Sequence, residues 1–300
     1  MAFWIMTDAC CDLPASYTKA QACFRVMPMA YQLDGASEMI DPMDAQPEQT
    51  AHAFYERLRA GGMATTSQIN QAEWTDALRP LLEQGHDVLL LVFSSGLSGT
   101  YTAAQLAVTD LSAKYPGRKL YAVDSLSASM GEGLFVHHVL CYRDAGHDID
   151  ACYAYAAELA RRVIHWFTVD DLQFLRRGGR VSAVSAYVGG VLKIKPVLNV
   201  DPKGHLIARE KVQGRKKSLR ALYDMVEKYA ENPAGQTMFI SHGDCPEDAG
   251  WLRDKLSNGL GVKDILVSPI GPIIGAHSGP DTVAVFFLGR DAEGRLNAPD

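Results

Sequence analysis

Apolar residues run without a break from Val88 to Phe93 and then give way to Ser94-Ser95-Gly96-Leu97-Ser98-Gly99-Thr100-Tyr101. The run is too short to cross a membrane and has no helical gaps, so it predicts a buried central strand. Tyr101, Ala104, Leu106, Ala107 and Leu111 then recur at helical spacing and predict a helix directly after it. A strand, a turn of small hydroxyl-bearing residues and a helix aim N–H groups outward at the positive end of a helix dipole. Such a turn accepts an anion. The same residues also make an ordinary tight turn and N-cap, so the pattern predicts either a plain cap or an oxygen-rich ligand.

Upstream, Phe3 to Met6 predicts a first strand ending in Thr7-Asp8, and Asp12-Leu13-Pro14 predicts a helix start with Asp12 as its cap. Val26 to Leu33 and Ser37 to Ile40 flank Asp34-Gly35, a hairpin signal. Helices are predicted over 47–59, closed by Gly61-Gly62, and over 72–84, with Thr65-Thr66-Ser67-Gln68 in a loop between them. Lys119 to Val123 is the next strand and ends in Asp124-Ser125. Gly131 and Gly133, early in the helix that follows, predict a close packing partner. This alternation is the doubly wound, mostly parallel α/β pattern, whose ligands collect at the carboxyl ends of strands. Asp8, the Ser94–Ser98 turn and Asp124-Ser125 are therefore expected on one edge.

A helix over 150–163 marks a change of pattern, so an N-terminal α/β domain is expected over 1–160 and a second domain over 161–300. The second half opens with Trp166-Phe167-Thr168-Val169. Asp170 is expected to cap a short helix that ends in Arg176-Arg177-Gly178-Gly179-Arg180. A helix over 182–192 and a hairpin of Ile194 to Val200 with His205 to Val212, around Asp201-Pro202-Lys203-Gly204, follow. Helices over 217–231 and 247–256 alternate with strands over 237–241 and 264–267. A glycine-containing loop over 271–280 and a strand over 282–288 come last. Hairpins mixed with helices predict an α+β arrangement for this half.

Composition narrows the function. Three hundred residues are enough for two sizeable cores, and 47% hydrophobic with 21% charged residues is ordinary for a globular chain. The net charge of −6, with no basic block longer than Arg215-Lys216-Lys217, argues against nucleic acid. Met1 to Met6 lacks the features of a signal peptide and no apolar run approaches about 18 residues, so the cytoplasm is the expected location. Six cysteines without C-x-x-C spacing point to reduced thiols rather than a zinc site. No G-x-G-x-x-G or P-loop occurs at the strand ends, which removes the usual nucleotide readings. Ser95 has glycine on one side only, so it is not a nucleophile elbow. His242 and His277 fall in glycine-containing loops and suit either base chemistry or structural hydrogen bonding. Asp8 and Asp124 suit a cation or a helix cap. Arg176, Arg177 and Arg180 form a local positive cluster that suits a carboxylate or phosphate as well as solvent.

Several of these segments, taken in order, carry a resemblance. They are Thr7-Asp8, Thr66-Ser67-Gln68, the Ser94 to Tyr101 stretch, Val123-Asp124-Ser125 with Ser127-Ala128-Ser129, and Phe174 to Arg180. Lys193 to Pro196, Ile270-Gly271-Pro272 and Gly275-Ala276-His277-Ser278-Gly279-Pro280 complete the set. Together they resemble the DegV family of bacterial fatty-acid-binding proteins over essentially the whole chain. The resemblance implies two α/β domains with one long-chain fatty acid between them, the acyl tail running into the second. It implies a carboxylate held by Thr66 and Ser95, with Ser94, Gly96 and His277 at the same head group and Arg180 near the entrance, facing phosphate. Tyr187 to Leu192 and Ile270 to Gly275 supply apolar, glycine-spaced segments for the tail. The family's role implies a carrier that is not itself a catalyst. It presents its acid to a separate ATP-dependent fatty acid kinase for acyl phosphate formation, with transient contact to a membrane surface and no cofactor besides the bound acid. The alternative is a hydrolase or transferase that acts on acyl esters or acyl phosphates through His277 or a Ser94–Ser98 hydroxyl. The chain departs from the family pattern at Ala9, at Ile69-Asn70, at Asp281 and at Gln213, where a Val-Arg-x-Arg segment reads Val212-Gln213-Gly214-Arg215. The last departure bears on the kinase contact, the others on the head-group pocket.

Overall fold

A computed structural model describes residues 3–37, 39–40, 47–180 and 194–289. The first strand, β1 (Trp4–Asp8), lies between β2 (Phe24–Met27) and β6 (Val88–Val92), and β7 (Leu120–Asp124) flanks β6, all parallel. Both faces of β6 are buried. Leu89 and Leu91 enter one hydrophobic cluster, whereas Val88, Leu90 and Val92 enter another. That is why its apolar run shows no alternation. The expected hairpin forms between β3 (Ala30–Leu33) and β4 (Met39–Ile40), and β3 also pairs antiparallel with β5 (Ala64–Thr66). Thr66, expected in a loop, therefore ends a short strand.

The second sheet is mixed, in the order β10-β9-β8-β13-β11-β12. Its strands are β8 (Val163–Thr168), β9 (Ile194–Val200), β10 (Leu206–Gln213), β11 (Thr237–His242), β12 (Asp264–Pro269) and β13 (Val283–Leu288). The helices are α1 (Ala15–Thr18), α2 (Pro47–Arg59), α3 (Gln71–Glu83), α4 (Thr100–Lys114), α5 (Met130–Asp144) and α6 (Ile149–Leu159). They continue with α7 (Gln173–Arg177), α8 (Arg215–Tyr229), α9 (Pro246–Leu260) and α10 (Pro272–Ser278). The helix expected over 182–192 lies outside the described residues.

Layers follow from which face each strand buries. Trp74 of α3 and Ala104 and Ala107 of α4 pack on one side of the parallel sheet. Leu134, Phe135 and Val139 of α5, with Cys152 and Ala156 of α6, fill the space between the two sheets. Leu222 and Val226 of α8 and Leu252 and Leu256 of α9 cover the far side of the mixed sheet. The middle cluster holds Phe3 and Leu89 together with Phe167, Leu198 and Phe286, so one core joins both sheets. Gly133 backs onto the chain after β1, where an added Cβ would stand 2.7 Å from the Cys11 carbonyl oxygen. The close partner expected at this glycine is there.

Three further expectations are corrected. Asp12 does not cap α1: a short 3-10 turn over Ala9–Cys11 leaves it at φ 51°, and its carboxylate turns away to accept from Gly271 N–H (2.9 Å) and the Ser129 hydroxyl (2.5 Å). Asp171, not Asp170, accepts the N–H of Gln173 at the start of α7. The 271–280 stretch contains a helix, α10, whose glycine and proline mark its ends. Pro272 occupies the first turn, and Gly279, at φ 77°, closes the last.

Candidate functional site

The carboxyl ends of β1, β6 and β7 meet as the strand pattern requires. Asp8 accepts N–H groups from Phe93 (3.0 Å) and Cys10 (3.1 Å), and Asp124 accepts those of Ser95 (3.1 Å) and Leu126 (3.0 Å). These backbone ties engage both carboxylates, as caps of the turns that follow them. Asp8 is fully enclosed, and burial raises its pKa to about 6 against the pull of those two N–H groups.

The Ser94–Ser98 turn is closed on itself. The Ser94 hydroxyl accepts Gly96 N–H (3.2 Å) and donates to the Gly204 carbonyl (3.0 Å), while Leu97 and Ser98 N–H groups bond the Ser94 carbonyl. Thr100 N–H is held by the Ser98 hydroxyl. The N–H groups of Ser95, Gly96, Leu97, Ser98 and Thr100 are therefore taken up by the turn's own oxygens and by Asp124. Ser95 is exposed, Ser94 is buried against the 201–204 turn, and Gly96 packs on Lys203 and Gly204, where a Cβ would meet the Lys203 carbonyl oxygen at 2.6 Å. None of the three lines the cavity described next; Leu97 and Ser98 do.

That cavity lies between the ends of the parallel strands and the inner face of the mixed sheet. Its volume is about 100 Å³. Phe93, Leu97, Phe167, Val200 and Leu206 form apolar walls, and Ile270, Ile273 and Ile274 lean in from the start of α10. Two outer depressions adjoin it. Thr66, His277 and Arg180 line both the cavity and the depression that holds Met63, Phe174 and Arg177. Leu97, Ser98 and Arg180 line both the cavity and the depression that holds Gly96, Gly179 and His205. Arg180 is common to all three, which sets it at the mouth.

At the mouth the Thr66 hydroxyl and His277 Nε2 are 2.9 Å apart. Burial first, and the Arg180 charge second, lower the His277 pKa to about 4, so the ring is neutral at pH 7. Its Nδ1 is buried and has no partner among the described residues, and neither has the buried Ser278 hydroxyl on the cavity wall. Gly178 lets the chain pass the imidazole, since a Cβ there would sit 2.3 Å from Nδ1. Arg180 donates to the carbonyls of Leu97 (3.2 Å) and Gly178, which fixes the guanidinium between the turn after β6 and the turn after α7. The arrangement presents hydroxyls, a neutral imidazole and one cation to an oxygen-bearing head group, with hydrocarbon walls beyond. It also resembles a hydroxyl–base pair, but no described group orients Nδ1 as a nucleophile's base requires.

The remaining candidates fall outside the mouth. His242 ends β11, where its Nδ1 accepts Cys245 N–H at 3.3 Å. Arg176 and Arg177 are exposed, the latter over the Phe174 ring at 5.9 Å. All six cysteines are free thiols. Sequence reasoning missed Ser98 and Ser278 as mouth and wall groups, and also His165, Phe167, Ala284 and Phe286 on the inner face of β8 and β13. The two-residue alternation of those strands was the available signal for the last four.

A family model described as an uncharacterised protein of the DegV family matches residues 2–290. The chain belongs to the DegV family. A DegV domain-containing protein of Clostridium perfringens is 42% identical over 291 residues, 97% of this chain and 99% of that protein. Among solved structures, a DegV family protein from Thermus thermophilus, described for its fatty acid binding, matches with a TM-score of 0.84 at 30% identity. The match covers 96% of this chain and 100% of that one. A DegV lipid-binding protein from Thermotoga maritima matches with a TM-score of 0.82 at 28% identity, over 97% and 99% of the two chains. The parallel sheet followed by a mixed sheet is thus the DegV architecture. No helix among the described residues is long and apolar enough to cross a membrane.

Proposed function

We propose that this DegV-family chain holds one long-chain fatty acid between its two halves, residues 1–160 and 161–300, and presents it to a separate ATP-dependent kinase that forms the acyl phosphate. The observation that carries the reading is the polarity of the cavity, with Thr66, Ser98, His277 and Arg180 gathered at its mouth and apolar walls behind them. Each buried methylene contributes about 0.8 kcal/mol, so the tail supplies affinity while the mouth fixes position. The fatty-acid and lipid binding of the relatives at 28–30% identity supports the same ligand class.

In this reading Thr66 and Ser98 donate to the carboxylate, and neutral His277 and Ser278 complete the polar shell. Ser98 takes the role that the family resemblance gave to Ser95, with Ser94 and Gly96 shaping the turn behind it. Arg180 faces outward and clamps the oxygens of a phosphoryl group more readily than those of a carboxylate already held. The test is mass spectrometry of an organic extract of the purified protein, followed by binding of added fatty acid. Absence of any acyl chain and of micromolar binding overturns the carrier reading. For the kinase step, Arg180→Ala should keep bound acid and lose most phosphoryl transfer when a cognate kinase and ATP are supplied. An emptied cavity would place Arg180 in ground-state binding instead.

A further inference from the structure

Gly131 lies in the first turn of α5, fully buried, and faces the mixed sheet. A Cβ built on it would stand 2.2 Å from Nε2 and 2.6 Å from Cδ2 of His165, and 2.7 Å from Cδ1 of Phe286. Real Cβ atoms do not approach side chains this closely, so a side chain here forces the rings to move.

Both rings line the cavity. They are opposite one another across β8 and β13, meet edge to face with centroids 5.3 Å apart, and are each 2% exposed. Their place is further along β13 from the α10 end of the cavity. The Thr282 hydroxyl binds the carbonyl of Ser278, the neighbour of His277, and Phe286 is four residues further along, about 13 Å for extended chain. Phe286 cannot retreat sideways, because Phe239 is its register partner on β11 and is itself buried. Behind both rings lies their own sheet. The unfilled side is the cavity.

We propose that Gly131 gauges the length of the bound acyl chain: by lacking a Cβ it lets His165 and Phe286 stand back and keeps the deep end of the cavity open for the last methylenes. The inference rests on the fatty-acid reading above and names the residues that set its chain-length preference. Gly131→Ala drives the rings inward and shortens the cavity. Phe286→Leu removes part of one ring and lengthens it.

The test incubates delipidated wild type, Gly131→Ala and Phe286→Leu with an equimolar mixture of saturated fatty acids from laurate to stearate. The retained acids are then quantified by mass spectrometry, with circular dichroism reporting folding. For each methylene excluded by Gly131→Ala, the ratio of longer to shorter acids should fall roughly fourfold, and for Phe286→Leu it should rise by a similar factor. An unchanged profile in the folded variants overturns the gauge while leaving the carrier reading intact. If Gly131→Ala does not fold, Phe286→Leu decides alone. A wild type that retains none of the mixture overturns the carrier reading, and the gauge with it.

Discussion

His277 works as an uncharged ring because its surroundings forbid the charged one. Protonation would place a cation in a buried site beside Arg180, so the imidazole stays neutral down to about pH 4. A carboxylate seated at the mouth offsets both effects, and loading with fatty acid should raise this pKa, as NMR titration of the ring would record. Hydrogen bonds to a charged group are worth about 1.5–3 kcal/mol. Thr66→Val or Ser98→Ala should therefore weaken fatty-acid binding roughly tenfold or more, with Ser95→Ala near wild type. Equal losses at Ser95 and Ser98 by calorimetry would return the head group to the outer side of the turn. Thr66, His277 and Arg180 were singled out through the family resemblance, while the chain's own pattern placed Thr66 in a loop and His277 in a glycine-containing one. Ser98 was not separable from Ser94 and Ser95, because three hydroxyls in one turn differ only in where a folded backbone aims them. Glu132 was not legible as chemistry either. It is fully enclosed near Asp8 and Asp12, accepts the Thr7 hydroxyl at 2.8 Å, and burial holds its pKa well above the usual carboxylate range. The folded state thus keeps a proton that the unfolded state releases above its ordinary pKa, and stability is lost as pH rises through that window. Glu132→Gln should raise the melting temperature most at alkaline pH, with the gain fading toward pH 4.5. A gain that is flat with pH would mean the acid is ionised in the fold.

At the scale of elements, α10 decides whether the mouth exists. Its seven residues carry Ile273 and Ile274 to the apolar wall and His277 and Ser278 to the polar one. Asp12 holds its N-terminal end through Gly271 N–H, and Thr282 holds its C-terminal end through the Ser278 carbonyl. Asp12→Ala strands the half-buried Gly271 N–H and leaves the Ser129 hydroxyl with Ser241 at 2.9 Å, which costs on the order of 1–3 kcal/mol. Fatty-acid affinity should fall along with stability, although Asp12 does not line the cavity. Lost stability with intact affinity would show that α10 holds its place without this anchor. Helices α2 and α3 were read from periodicity, and β6 from its unbroken apolar run, within a residue or two. β5 and α10 were not, since β5 is too short to alternate and α10 is dense in the residues that usually break helices. Gly275 is tolerated inside α10 because Tyr55 comes within 2.5 Å of where its Cβ would lie. That packing reason is invisible in the chain alone.

For the molecule as a whole, one core between the two sheets makes their stabilities interdependent. Phe3 and Leu89 from one side and Phe167, Leu198 and Phe286 from the other share it through α5. Heat unfolding should accordingly be a single transition. Fluorescence of variants that keep only Trp74, beside the parallel sheet, or only Trp166, on the mixed sheet, should give coincident midpoints. Separate midpoints would show that the halves melt independently. The two sheets also differ in when they can be completed during synthesis. Every strand of the parallel sheet has left the ribosome once Asp124 has emerged. The mixed sheet cannot close so early, because β13, the last described strand, sits in its middle between β8 and β11. Until residues 283–288 arrive, β8–β10 and β11–β12 are two ribbons with open edges, exposed to mispairing and to chaperones. Ala284 and Phe286 arrive in that same strand. A nascent chain therefore has no enclosed cavity, and whatever the cavity holds can be captured only by a molecule whose synthesis has passed its thirteenth described strand.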